Sequence, residues 1–223
     1  MDVGHDVLAV DHQVVLLAGS FPLQVEDGRF VNRAWLFTPS GGCGYQDKQI
    51  MTRFEREHWG IAPGEPHKVF RTSLGCIGIA ICYDSEFPLL VRQQVEQGVE
   101  LLLVPSCTDA AAGYHRVRVA AAARALESQC YVLLSPLVGT LDWSPAVDVN
   151  VGAAGVYGPP DRGFPDDGIV AAGTLDQLRG LLDGLGPVVI RATAQGRPAG
   201  AVHRRAGLTE SDGGAAARAG RRR

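Results

Sequence analysis

Residues 74–88 read LGCIGIAICYDSEFP, and the way this stretch ends decides the fold. It opens on an apolar run, Cys76 to Ile81, built from small and β-branched residues. That composition suits a strand buried on both faces, inside a sheet covered by helices. The run stops at Cys82. Ser85 is then suited to cap a helix and Pro88 to occupy its first turn, so Leu89 to Gln97 is expected to be helical. Cys82 thus stands where a buried strand turns into a helix. Such turns present a side chain at the C-terminal edge of a sheet, where α/β folds place ligands and nucleophiles. The stretch alone serves a second reading equally well: Cys82 as one more buried small residue, the usual place of a free cysteine.

Upstream, Val7 to Val10 reads as the end of a helix and Val14 to Phe21, VVLLAGSF, as a buried strand. Arg29 to Thr38, RFVNRAWLFT, reads as a second strand, with Asp27-Gly28 turning into it. Tyr45 to Gly64 is polar, lacks period-2 or period-3.6 apolar spacing, and reads as a long ordered loop with at most short helical turns. Long ordered loops in compact domains usually carry function. This one holds Lys48, Glu55 and Glu57.

Lys68–Ser73 and Leu74–Ile81 read as adjacent strands. Downstream, Glu100 to Pro105, ELLLVP, is a further buried strand and completes a β-helix-β unit. Tyr114 to Ser128 is an alanine-rich helix and Tyr131 to Pro136, YVLLSP, a third buried strand. Short strands at 153–157 and 169–172 flank the loop GPPDRGFPDDG. Leu175–Leu185 is expected to be a helix and Val188–Ala192 a strand. A domain over 1–192 then gives way to a tail, 193–223, rich in Ala, Gly and Arg, expected to be low-complexity and disordered.

The chain has 223 residues, 46% hydrophobic and 20% charged, with a formal net charge of −3. This is ordinary composition for one sizeable domain and points to neither nucleic acid nor an anionic membrane as partner. No window is long enough to span a membrane, and MDVGHDVLAVD at 1–11 has acids where a signal peptide has bases. The cytoplasm is the expected location. The five cysteines are odd in number and mostly lie in or beside apolar runs, which argues against a disulfide framework. No CxxC or HxxxH spacing is present, so neither a metal nor a cofactor is expected.

Lys48, Glu55 and Cys82, in this order, resemble the nitrilase superfamily of carbon-nitrogen hydrolases. The blocks that carry the likeness are AGSF at 18–21, NRAWLFTPSG at 32–41, DKQIMTRFERE at 47–57, IAICYDSEFP at 79–88 and LLLVPSCTD at 101–109. RVRVAAAARALESQCYVLLSPLVG at 116–139 and GVYGPPDRGFPDDGI at 155–169 match as well. Seven ordered blocks from about Leu8 to Gly173 make the likeness specific, and its phrasing is closest to the amidase-type branch.

The resemblance implies an α/β fold, an αββα sandwich of the carbon-nitrogen hydrolase type. It implies Cys82 as nucleophile, Lys48 as the cation beside it and Glu55 as a positioning glutamate, with Glu57 a competitor for that role. Tyr83 and Asp84 beside the nucleophile, and Thr108 and Asp109 after a neighbouring strand, are the expected substrate-binding residues. The chemistry is sound in its own right, because a thiol is a weak nucleophile until deprotonated and a neighbouring ammonium favours the thiolate. A small non-peptide amide is the implied substrate, cleaved through a thioester, and a homodimer the implied assembly.

The likeness starts at what resembles the family's second helix. The opening β-α-β segment, with the glutamate that serves the family as general base, has no counterpart. None of Asp2, Asp6, Asp11, Glu26, Asp27 or Asp47 lies in a matching context. Little amidase activity is therefore expected of this chain alone. The reading from another class is an inactive remnant or a partner-binding sandwich. A Cys-His hydrolase using His115 is weaker, since His115 opens a helix and no carboxylate is placed to orient it.

Overall fold

A computed structural model describes residues 4–141, 143–144, 147–174 and 188–190. Helix α1 (Gly4–Asp11) leads into strands β1 (Val15–Gln24), β2 (Phe30–Phe37) and β3 (Cys43–Asp47). Helix α2 (Arg53–Glu57) and the antiparallel hairpin β4 (Val69–Thr72) and β5 (Gly75–Ile79) follow. A short 3-10 helix, Cys82–Glu86, joins β5 to α3 (Pro88–Glu96). Then come β6 (Leu101–Ser106), α4 (Ala111–Ser128) and β7 (Tyr131–Pro136), the minor strands β8 (Gly139–Thr140) and β9 (Val149–Asn150), and β10 (Gly155–Tyr157), β11 (Ile169–Ala172) and β12 (Val188–Ile190).

Two sheets form the middle of the molecule. One is four-stranded, in the order β12-β1-β2-β3; the other is six-stranded, in the order β11-β10-β7-β6-β5-β4. Within the larger sheet β5, β6 and β7 are parallel, with Ile79 opposite Leu103 and Leu103 opposite Leu133. Period-2 alternation sorts the side chains into layers. Val15 and Leu17 of β1 and Ala34 and Leu36 of β2 meet Ile77, Ile79, Ile81 and Leu103 from the other sheet. The alternate residues Leu16 and Ala18 face α1 together with Phe37. On the far side, Leu102, Val104, Val132 and Leu134 pack under Val91 of α3 and Val117, Ala121 and Ala125 of α4. The layers are thus helix, sheet, sheet, helix, the expected αββα sandwich.

The alanines of α4 are what let the helix lie close to the sheet, since each buries its small face without a side-chain entropy cost. Gly78 performs the same service on β5. A Cβ there would collide with the side chain of Gln94, which crosses over it and donates from Nε2 to Ile79 O at 3.0 Å.

Three local expectations change. The segment read as a loop over 45–64 begins as the last three residues of β3, paired with β2 from Arg33–Asp47 to Phe37–Cys43. CGYQD lacks β-branched alternation, so the strand is created by its neighbour, not by its own propensity. Ser85 does not cap α3. Its hydroxyl donates to Cys82 O at 2.7 Å inside the 3-10 turn, while Phe87 takes the N-cap position ahead of Pro88. Helix α4 starts at Ala111, three residues before Tyr114, with no side-chain cap. The expected helix over 175–185 and the expected tail lie outside the described residues. Val188–Ile190 is a strand, antiparallel to β1 with Val15 opposite Ile190. Among the described residues no helix is long and apolar enough to cross a membrane.

Candidate active site

Lys48 follows β3 directly, and its backbone is clamped from two sides: its N–H donates to Asn32 O at 2.8 Å and its carbonyl accepts from Gly64 N at 3.0 Å. Its side chain is buried. A buried ammonium needs a partner, and Glu55 supplies it, accepting from Lys48 Nζ at 2.6 Å through Oε1 and 2.7 Å through Oε2. Glu55 is in turn fixed by a capping box on α2. Thr52 Oγ1 accepts from Glu55 N, and Glu55 Oε2 accepts from Thr52 N at 2.8 Å. Oε2 also takes the Thr52 hydroxyl at 2.8 Å. Burial alone pushes the Glu55 carboxyl up, but Lys48 and Thr52 together outweigh it and hold the group below its ordinary value. Glu57, by contrast, is solvent-facing and pairs with Arg53 on its own helix at 2.8 Å.

Cys82 opens the 3-10 turn with φ of 49°, a left-handed conformation that a residue with a Cβ rarely adopts. This is the sharp strand-to-helix bend that the sequence pattern anticipates. The thiol reaches across to the residue just after β6, 3.7 Å from Cys107 O. Burial pushes its pKa up, and Lys48 pulls against that through charge. No hydrogen bond joins Lys48 to Cys82 among the described residues.

Asp84 binds the two halves together. It is fully buried, and its carboxylate accepts from Gln49 N at 3.2 Å and Ile50 N at 2.8 Å, the two residues after Lys48. Two residues earlier in the same turn stands Cys82. One carboxylate therefore fixes the lysine segment of one sheet against the cysteine turn of the other.

Of the other expected site residues, Tyr83 is half-buried and lies edge-on to Phe87 at 4.9 Å between ring centroids. Thr108 is buried, its hydroxyl donating to Val151 O at 2.8 Å. Asp109 is exposed. Two groups near the thiol lie outside the sequence reading. Cys107 donates its thiol to Asn150 Oδ1 at 3.0 Å; burial, then the nearby Cys82 and Asp109, push its pKa up to about 11. Glu86 accepts from Arg116 Nε at 2.8 Å. No sequence signal joins Cys107 to Asn150, which are 43 residues apart. The Thr52-x-x-Glu55 capping pattern was available in the sequence and marks α2. Among the described residues no cluster of His, Cys, Asp or Glu is arranged to hold a metal.

Residues 5–173 match the family described as carbon-nitrogen hydrolase. The chain is 40% identical over 163 residues to a probable hydrolase, YhcX, of Bacillus subtilis, covering 73% of this chain and 32% of that protein. It is 33% identical over 151 residues to a deaminated glutathione amidase of Synechocystis sp., covering 59% of this chain and 53% of the relative. The chain thus spans about a third to a half of the length of these relatives. Among solved structures, the fold is similar to a mutant amidase from Nesterenkonia sp. AN1 with acrylamide added at its active-site cysteine. The TM-score is 0.63 at 22% identity, over 85% of this chain and 67% of that one.

Proposed function

Since this chain belongs to the carbon-nitrogen hydrolase family, we propose that Cys82, Lys48 and Glu55 form the core of an amidase site that opens small non-peptide amides through a thioester. The observation that carries this reading is the Asp84 carboxylate, which locks the segment bearing Lys48 to the turn bearing Cys82. A fold that merely needed a cysteine at this turn has no use for a buried Lys48–Glu55 pair on the segment joined to it. The amidase named among the relatives and the acrylamide-modified cysteine of the Nesterenkonia protein support the same chemistry.

In this scheme Cys82 Sγ attacks the amide carbonyl, and the carbonyl oxygen becomes an oxyanion. Lys48 and the Tyr83 N–H, which meets no acceptor among the described residues, stabilise it. The thiol proton leaves with the departing amine, giving a thioester, and water then releases the acid. Glu55 keeps Lys48 charged and in place. Asp84, Thr108 and Asp109 shape the walls, with Asp84 acting through the Lys48 segment.

Because burial pushes the Cys82 pKa up and no separate base is assigned to it, turnover by this chain alone is expected to be slow. Acylation is the step to measure. Mass spectrometry of the chain incubated with acrylamide or a fluorinated acetamide should find the adduct on Cys82, lost in Lys48→Ala and absent in Cys82→Ala. An adduct on Cys43 or Cys107 with Cys82 untouched favours the partner-binding sandwich over the enzyme.

A further inference from the structure

Cys82 has a second thiol beside it. Its Sγ lies 3.7 Å from the carbonyl oxygen of Cys107, which places it within about 6 Å of the Cys107 Cα by the standard Cα–C and C=O lengths. The topology explains the approach. β5 and β6 are parallel neighbours with Ile79 opposite Leu103, so the chain leaves both strands at the same edge of the sheet. It then bends at Cys82 in one case and reaches Cys107 directly after Ser106 in the other. The Cys107 thiol donates to Asn150 Oδ1 at 3.0 Å. Asn150 is held in turn by its own amide, which donates to Val147 O at 2.6 Å and Gly139 O at 3.2 Å. After burial, it is charge at Cys82 that pushes the Cys107 pKa up most, so the two sulfurs lie within reach of each other's field. The other cysteines are placed differently. Cys76 and Cys130 are buried, and Cys43 is exposed on β3 of the other sheet. Acylation uses Cys82 and leaves Cys107 without a task.

A cysteine near a cation, with a second thiol at the same sheet edge, is the arrangement of an oxidisable sulfur and its resolving partner. We propose that Cys82 and Cys107 are a peroxide-modified pair, closing to a reversible disulfide that withdraws Cys82 from chemistry and spares it irreversible oxidation. In the first step the Cys82 thiolate attacks one oxygen of the peroxide. The O–O bond breaks, hydroxide leaves with the proton that Cys82 gave up, and the sulfur is oxidised to a sulfenic acid. Lys48 assists by favouring the thiolate through its charge. In the second step Cys107 Sγ leaves Asn150 and attacks the sulfenic sulfur. The S–S bond forms, the S–O bond breaks, and the departing hydroxide takes the Cys107 proton to leave as water. Two thiols and one hydrogen peroxide give one disulfide and two waters; a dithiol reverses the change. Closure asks for Cα atoms within about 7 Å, in keeping with chains that leave neighbouring strands about 4.8 Å apart. No step involves an amide, so the proposal stands apart from hydrolysis.

The full chain is treated with a small excess of hydrogen peroxide, its free thiols are blocked with N-ethylmaleimide, and it is digested with trypsin without reduction. Arg92 lies between the two cysteines, and fragmentation tells Cys82 from Cys76 on the peptide they share. Wild type should yield a Cys82–Cys107 crosslink, and dithiothreitol should restore alkylation of Cys82 by iodoacetamide. In Cys107→Ser the crosslink is gone and Cys82 moves on to sulfinic acid. Alkylation recovered with dithiothreitol should then fall at least about tenfold, because dithiols do not reduce a sulfinic acid. Absence of the crosslink in wild type, whether Cys82 stays a thiol or becomes a sulfinic acid, overturns the proposal. So does a crosslink from Cys82 to Cys43, Cys76 or a second chain in its place, or recovery in Cys107→Ser equal to that of wild type. The wild-type crosslink needs no variant and decides the matter even where Cys107→Ser fails to fold. The acrylamide adduct at Cys82 reports separately on the amidase reading: adduct without crosslink removes this proposal alone, and crosslink without adduct removes the amidase alone.

Discussion

Lys48 and Glu55 are joined twice, Nζ lying 2.6 Å from one carboxylate oxygen and 2.7 Å from the other, with both side chains almost wholly out of water. Removing one partner strands the other charge. Glu55→Ala should lower stability by about 3–5 kcal/mol, the usual cost of breaking a buried pair from one side. Glu55→Gln, which keeps an acceptor for Thr52, should cost less. Urea denaturation with both variants checks the order; an exposed-pair effect below about 1 kcal/mol would contradict the burial.

The same pair sets a pH limit. The folded Glu55 carboxyl is held below its ordinary value, so its contribution is present at neutral pH and above the unfolded value of about 4.3. It is lost as pH falls from there through the folded value. Stability of wild type minus that of Glu55→Gln should shrink across that acid window and be flat from about pH 6 to 8.

Cys82 is expected to react as a thiol that must first lose its proton. Burial pushes its pKa above the ordinary value and Lys48 only partly opposes this. Its alkylation by iodoacetamide should rise about tenfold per pH unit between about pH 7 and 9, and Lys48→Ala should shift that rise to higher pH. A rate independent of pH over this range would mean a resting thiolate.

Asp84→Asn keeps the shape but exchanges one acceptor oxygen for a donor facing Gln49 N and Ile50 N. A loss of about 1–3 kcal/mol in stability is expected for mispaired buried groups. Cys82 alkylation should fall with it, even at temperatures where circular dichroism reports a fully folded chain.

Gly78→Ala inserts a methyl where Gln94 crosses β5. Displacing Gln94 breaks its bond to Ile79 O. Overpacking of this kind typically costs about 1–3 kcal/mol, and the double variant Gly78→Ala, Gln94→Ala should recover part of it in thermal melts.

The central strands were legible because Val14–Ala18, Ile77–Ile81 and Leu101–Val104 are apolar on both sides of the pleat, the mark of a sheet covered on each face. Cys82 was legible as a bend for the same reason: an apolar run cannot continue into YDSE. The partnership of Lys48 with Glu55 came from family likeness alone, since the two sit on different elements with irregular backbone between them. Asp84 was placed beside Cys82 among the expected substrate-binding residues, but its task was invisible. Its partners are main-chain N–H groups 34 and 35 residues away, and a backbone donor leaves no trace in sequence. β3 escaped because pairing with β2, not its own residues, makes it a strand.

Cys82 and Lys48 belong to different sheets: Cys82 lies just beyond β5 of the six-stranded sheet, and Lys48 directly follows β3 of the four-stranded one. What keeps them in register is an apolar seam between the sheets and a carboxylate bolt at Asp84. The site therefore works as a gauge of slippage between two slabs. A sub-denaturing load that lets one slab slide on the other would silence the chemistry while both hydrogen-bonded ladders stayed whole, so loss of reactivity should precede loss of structure.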